Sequence, residues 1–347
     1  MLAVESKVAA VTAPQREPAG YWKHIVEPVE PFLESVARRL AKQVNEFDPA
    51  LAQYAEYALN GHGKHLRPTL VALAANSLGQ TNDSHVTVAV IIEMVHLATL
   101  VHDDVMDEAE VRRGQLTLAA NWGNEIAVLF GDCLFAQSLK LAASFPTPEV
   151  CRAVASATNT VCSGEILQTR HRRNFELSRR DYIRVLEMKT AELFALSCEL
   201  AAFLSNATVP QRTALREFGL AFGTAYQIYD DVVDLTGEED KAGKTLGTDL
   251  RKGKLTLPVL YLLQNADTTE RDSICQIILS GTDDEIGTLV GKAIETGALK
   301  NAVATGRRML GDALTELQVV APGRYRDALE GLVTTLDAMF SQYGQGN

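Results

Sequence analysis

The sequence predicts an all-α fold in a single domain, and three observations carry that prediction. Long stretches are rich in Ala, Leu, Glu and Val, a mixture that leans to helix. Apolar residues recur at helical spacing over most of the chain. The 11 prolines fall mostly in loops and in the first twenty residues, so few interrupt that spacing. With 347 residues, 46% of them apolar, the chain has material for one large core or two modest ones. No compositional break divides it, so residues 21–347 are expected to form one helical domain behind a disordered tail, residues 1–20.

In order along the chain, apolar spacing marks helix from Glu30 to Leu59 and again from Pro68 to Leu78. The loop signal Asn60-Gly61-His62-Gly63 separates them, and Pro68 suits a first helical position. Ser84 to Asp107 is apolar nearly all round, as expected of a central helix. Further helices are expected over Glu125–Ser144, Glu149–Arg170, Arg179–Leu204 and Gln211–Leu235, with Ser178 opening one of them as a cap. Glu238–Lys254 is polar and glycine-rich, a loop, and amphipathic helices resume from Thr256.

A net charge of -11 argues against nucleic acid as a partner, because phosphate-backbone binding needs a basic face. Five widely spaced cysteines without a C-x-x-C pattern indicate neither a disulfide framework nor a zinc site, and suit a reducing cytoplasm. No segment is expected to span a membrane.

The chemistry concentrates in two copies of one pattern, Asp103-Asp104-Val105-Met106-Asp107 and Asp230-Asp231-Val232-Val233-Asp234. On a helix, positions i and i+4 are offset by only about 40°, so each copy projects carboxylates over one sector of surface. They repel one another unless a cation lies between them. An all-oxygen donor set without His or Cys suits Mg²⁺ shared with substrate phosphates. Basic residues follow each copy: Arg112 and Arg113 after the first, Lys244, Lys252 and Lys254 after the second. Such pairing fits a metal–diphosphate site, where metal and side-chain cations together neutralise the phosphates. Lys189-Thr190 adds a cation and a hydroxyl in an apolar helix.

These residues resemble the trans-prenyltransferases, or polyprenyl diphosphate synthases, which add isopentenyl diphosphate to an allylic diphosphate. The motifs run in the family's order: Gly63-Lys64-His65-Leu66-Arg67-Pro68, Glu93 through Arg113, Gly164-Glu165-Ile166-Leu167-Gln168, Lys189-Thr190, Tyr226 through Asp231, and Gly243-Lys244 to Pro258. The resemblance implies that Lys64, Arg67, His96 and Arg113 hold the diphosphate of isopentenyl diphosphate without metal. It implies that Arg112, Lys189, Lys244 and Lys254 contact the allylic diphosphate, for example farnesyl diphosphate. Three Mg²⁺ ions would bridge that group to Asp103, Asp107 and Asp230, with Asp104, Asp231 and Asp234 completing the coordination, partly through water. The dipoles of Thr190 and Gln227 would face the allylic carbocation, and the departed diphosphate would take the final proton. A homodimer of helical bundles, each with a deep central cavity, completes the implied picture.

Two replacements, His62 and His65, stand where the family often has Gly and Arg. Ala98 and Thr99, about one turn before Asp103, stand where short-chain members carry an aromatic plug, and small residues there leave room for a long tail. The reading is therefore a long-chain synthase supplying a quinone side chain, with Phe130 or Phe135 as candidate pocket floor and core packing as their plainer role. The alternatives are a farnesyl or geranylgeranyl synthase, a non-catalytic subunit of a heteromeric synthase, and a His-Asp metal phosphohydrolase using His96 and His102. The last leaves the second acidic cluster unexplained. His102 is expected on the helix surface, and Arg170-His171-Arg172-Arg173 at a solvated helix end.

Overall fold

The computed structural model describes residues 23–59, 63–112, 114–236 and 248–343. The expected tail, residues 1–20, lies outside them, as do His62, Arg113 and Lys244. The helices are α1 Lys23–Val26, α2 Glu30–Lys42, α3 Ala52–Leu59, α4 Leu66–Leu78, α5 Asp83–Met106, α6 Leu118–Trp122, α7 Asn124–Ala143, α8 Glu149–Arg170 and α9 Arg179–Leu186. After a π turn at Glu187–Ala191 come α10 Glu192–Leu204, α11 Val209–Thr236, α12 Thr248–Arg251, α13 Leu257–Asn265, α14 Thr268–Ser280, α15 Asp283–Glu295, α16 Ala298–Glu316 and α17 Arg324–Phe340. One two-residue hairpin, β1 Val111–Arg112 with β2 Gln115–Leu116, pairs Arg112 with Gln115 just beyond the first acidic cluster. The all-α expectation is met.

Two centres of packing organise the bundle. Helix α5 lies against α7, and α11 lies between α10 and α16. The run Val88–Ile92 with Met94 on α5 is wholly buried, so the helix read as central is central. Helices α5 and α7 are long and apolar enough to cross a membrane by length and composition alone, a test that the core helix of a bundle also passes. Burial of the α5 residues within the bundle accounts for its apolarity, because a core helix has no polar face to keep. Helix α7 buries less of itself and exposes Val128 and Leu129.

Helix α4 starts at Leu66, so Pro68 sits in the first turn but not at its first position, another correction. No intrahelical hydrogen bond is lost there, since the first four N–H groups lack such partners anyway. His65 precedes the helix in left-handed backbone, φ 46°. The helix expected over Glu30–Leu59 is instead two, because 3₁₀ turns over Gln43–Glu46 and Pro49–Leu51 separate α2 from α3.

At the start of α5, the Asn82 side chain accepts from the backbone N–H groups of Ser84 and His85, and the Asn82 N–H donates to His85 Nδ1 at 3.1 Å. Nδ1 is thus an acceptor, which leaves Nε2 to donate to the Ala201 carbonyl of α10 at 3.3 Å. Burial holds the imidazole below its ordinary pKa, partly offset by the Ala201 hydrogen bond. The unfolded chain therefore takes up this proton first, and His85 makes folding stability fall as pH drops below about 6.5 toward the lower folded-state value. Urea unfolding between pH 7 and pH 5 is expected to show a shallower pH slope in His85→Gln than in the parent chain.

Candidate active site

Asp103 and Asp104 occupy the last turn of α5 and Asp107 caps it, where the unsatisfied carbonyls already make the helix end negative and no basic residue of that turn offsets them. Side chains from elsewhere supply the compensation. Asp104, nearly buried, accepts from Arg112 Nε at 2.7 Å. Asp107 accepts from Lys254 Nζ at 2.8 Å and Arg172 Nη2 at 3.1 Å, with Lys252 Nζ at 3.5 Å. Asp103 lies 3.4 Å from Lys189 Nζ. Burial raises the pKa of Asp103 against the pull of Lys189, and raises that of Asp104 against Arg112. For Asp107 burial pushes the same way, but the hydrogen bond and charge of Lys254, with Lys252, outweigh it and hold the group below the ordinary range.

Lys189 reaches this cluster because helix geometry fails locally. The π turn Glu187–Ala191 widens the backbone between α9 and α10 and carries Lys189 and Thr190. Gly164 of α8 abuts it so closely that a Cβ there would stand 2.7 Å from the Lys189 nitrogen. Lys189 is held by Glu165 and by Gln168, whose Oε1 accepts at 2.9 Å. Burial alone would lower the lysine pKa, but Asp103 and Glu165 raise it, so it stays charged.

On α11, Asp231 and Asp234 are buried and Asp230 is half-buried. Thr190 Oγ1 donates to Gln227 Oε1 at 3.0 Å, and Gln227 Nε2 donates to Asp231 at 2.9 Å. The other Asp231 oxygen accepts from Tyr182 of α9. Burial, then the charge of Asp249, pushes Asp231 up to about 8, against the hydrogen bonds from Tyr182 and Gln227. Asp234 accepts from the backbone N–H of Asp249 at 3.2 Å, and Asp249 is 3.9 Å from Lys254. Two bridges thus join the acidic clusters: Asp103–Lys189-Thr190–Gln227–Asp231 and Asp107–Lys254–Asp249–Asp234.

The basic residues near α4 lie against α11 and α10. Lys64 Nζ donates to Tyr226 Oη at 3.2 Å, and Arg67 stacks over Phe194 at 4.5 Å. His65 Nδ1 is 3.7 Å from Glu93. His96 is half-buried on α5, Ala98 is fully buried, and Thr99 is half-buried with its hydroxyl on the His96 carbonyl at 2.7 Å. Phe130 is buried against Phe47, while Phe135 packs on His102.

Two expectations need correction. His102 is no free surface residue: its Nε2 donates to the Val128 carbonyl of α7 at 3.0 Å, and the ring fills the space a Cβ at Gly131 would take. Nor is Arg170-His171-Arg172-Arg173 a merely solvated end, since Arg172 pairs with Asp107. The glycine facing His102 in an otherwise apolar helix was a usable signal. Tyr182 gave none, because its partner is distant in sequence, and Glu165 was visible only as part of the Gly164–Gln168 motif, without a role.

Among the described residues, no three His, Cys, Asp or Glu side chains converge on one metal position. The donor set still suits a hard divalent cation. It is all carboxylate oxygen, and burial disfavours the free charges on Asp103, Asp104 and Asp231 that a bound cation would stabilise. Ligand oxygens beyond those of the chain would come from phosphate and water.

Comparison with known proteins gives a consistent answer. The family model for polyprenyl synthetase matches residues 48–293. The octaprenyl diphosphate synthase of Haemophilus influenzae is 33% identical over 304 residues, covering 87% of this chain and 92% of the relative. Component 2 of the Bacillus subtilis heptaprenyl diphosphate synthase is 35% identical, covering 86% of each. The Caulobacter crescentus polyprenyl synthase, solved with calcium and isoprenyl diphosphate, superposes with a TM-score of 0.85 at 30% identity, over 94% of this chain and 99% of that one. The six ordered motifs, the two bridged acidic clusters and these likenesses agree: the chain belongs to the polyprenyl synthetase family.

Proposed function

We propose that this chain is a Mg²⁺-dependent long-chain all-trans polyprenyl diphosphate synthase, joining isopentenyl diphosphate 1′-4 to a growing allylic diphosphate. The observation that carries this reading is the convergence of Lys189, Arg112 and Lys254 on the first acidic cluster, with Thr190 and Gln227 adjoining it. Asp103, Asp107 and Asp230 would hold the metal, three ions with substrate bound, and Asp104, Asp231 and Asp234 would complete the coordination. Bound Mg²⁺ supplies charge neutralisation on the allylic diphosphate.

The side chains do the rest. Arg112, Lys189, Lys254 and Lys244, the last outside the described residues, take up charge as the allylic C–O bond breaks and its electron pair leaves with the diphosphate. Thr190 and Gln227 turn oxygen dipoles toward the carbocation; neither is nucleophilic enough to trap it. Asp231 accepts from the Gln227 amide nitrogen and so directs the Gln227 carbonyl to the Thr190 side. Lys64, Arg67 and His96, with Arg113, hold the second diphosphate while the isopentenyl double bond attacks. Loss of a proton from the product carbon to the departed diphosphate restores the alkene.

Purified protein given Mg²⁺, isopentenyl diphosphate and farnesyl diphosphate should elongate the primer; no product of any length would sink the proposal. The Bacillus relative is one component of its synthase, so the chain should be assayed alone. We expect a homodimer, the outward Val128 and Leu129 of α7 and Ile166 of α8 being apolar surface for a second copy to cover. Ala98→Phe is expected to shorten the product by several isoprene units, because Ala98, five residues before Asp103 on α5 and fully buried, stands where the resemblance places the plug of short-chain members, and a ring there would fill the proposed tail path. An unchanged product ladder on thin-layer chromatography would refute that path.

A further inference from the structure

The turn between α8 and α9 belongs to the acidic site. Arg173 lies there in left-handed backbone, φ 57°, uncommon for a side chain of this size. Its N–H donates to the Gly253 carbonyl at 2.7 Å. Gly253 is itself left-handed, φ 72°, and a Cβ on it would stand 2.6 Å from Arg173 Cγ. Only glycine therefore lets the 252–254 segment lie against this turn. The junction brings Arg172 from one side and Lys252 and Lys254 from the other onto the single carboxylate of Asp107. Asp249, 3.9 Å from Lys254, adds a second negative charge, and the three cations still exceed the carboxylates. Among the described residues, the buried Arg172 Nε has no hydrogen-bond partner, a donor left unsatisfied beside the acidic cluster.

Resting on the synthase reading above, we propose that Arg172 binds the diphosphate of the allylic substrate, completing with Lys254 a basic wall around Asp107. A diphosphate carries the surplus negative charge these cations need, and its oxygens suit the planar guanidinium fork. Arg172 stands with the residues of the allylic side, whereas Lys64 and Arg67 pack on Tyr226 and Phe194. The allylic substrate alone should feel its loss.

The test is steady-state kinetics of Arg172→Ala and Arg172→Lys with each substrate varied separately, alongside calorimetry of inorganic diphosphate binding in the presence of Mg²⁺. Arg172→Ala is expected to raise the KM for farnesyl diphosphate and weaken diphosphate binding by about 10- to 100-fold, the loss of a charge-assisted hydrogen bond, with Arg172→Lys recovering part of it. The KM for isopentenyl diphosphate should stay within about twofold. Unchanged allylic KM and diphosphate affinity in Arg172→Ala would overturn the assignment, and so would equal losses for both substrates. Should the alanine variant fold poorly, Arg172→Gln keeps the stem and carries the same expectations. Failure of the parent chain to elongate would instead count against the synthase reading.

Discussion

Lys189→Ala is expected to lower kcat for elongation by about 10²- to 10³-fold, the loss seen when a donor aimed at charge developing in the transition state is removed. Position gives the lysine this weight. Lys189 sits on the π turn, beside Asp103 and next in sequence to Thr190, and Asp103 and Glu165 hold its charge in place. Its ammonium is therefore oriented before substrate arrives, and orientation is what water cannot supply. The same change leaves Asp103 and Glu165 without their shared cation in a partly buried setting, so thermal unfolding should also report a loss of up to about 3 kcal/mol. Lys189→Arg restores charge but not the compact geometry and should recover stability more than rate. A kcat within tenfold of the parent value for Lys189→Ala would remove the residue from the proposed chemistry.

Gly219→Ala should destabilise the fold by about 3 kcal/mol, at the upper end for overpacking. A Cβ at this position of α11 would stand 2.5 Å from the Phe194 carbonyl oxygen and 2.8 Å from the Ala195 Cα, both backbone atoms of α10 that cannot rotate away. Gly223, one turn on, meets Ala191 Cα at 2.9 Å, so the two glycines form one face against α10. A methyl group there must push the helices apart, and with them Thr190 from Gln227. Gly311→Ala on α16 is the control: among the described residues nothing lies within 4 Å of its added Cβ, and the change should stabilise by about 0.5–1 kcal/mol through helix propensity alone. Chemical denaturation of the two variants should move in opposite directions. Equal effects would mean that helix propensity, and not the α10–α11 contact, decides the outcome.

What could be read in the sequence was whatever depends on neighbours along the chain. The acidic clusters were visible because i, i+1 and i+4 share a helix face, and α5 was visible as a core helix because apolar residues encircle it. Ser178 was visible as a cap and accepts from the Asp181 N–H as expected. The π turn was not visible, since one extra residue in a turn leaves no mark in composition. Arg172 looked like any solvated arginine; its role depends on Gly253, 81 positions away, admitting the Arg173 turn. Tyr182 and the pairing of Glu165 with Lys189 were hidden for the same reason, as a buried partner from another helix has no local signature.

The two bridges between the acidic clusters also bear on selectivity. Every carboxylate at the end of α5 already has a cation at hand, so a ligand does not enter a bare charge but must displace an existing partner. Exchange of this kind is close to neutral for a lone monophosphate or carboxylate, which can replace only one ion pair at a time. A polyanion arriving with its own divalent cations offers new partners to both sides of each pair at once: metal for the aspartates, oxygen for the lysines. The resting ion pairs thus act as a threshold that a lone monophosphate or carboxylate does not cross, and they keep each carboxylate of the helix end paired between one condensation and the next.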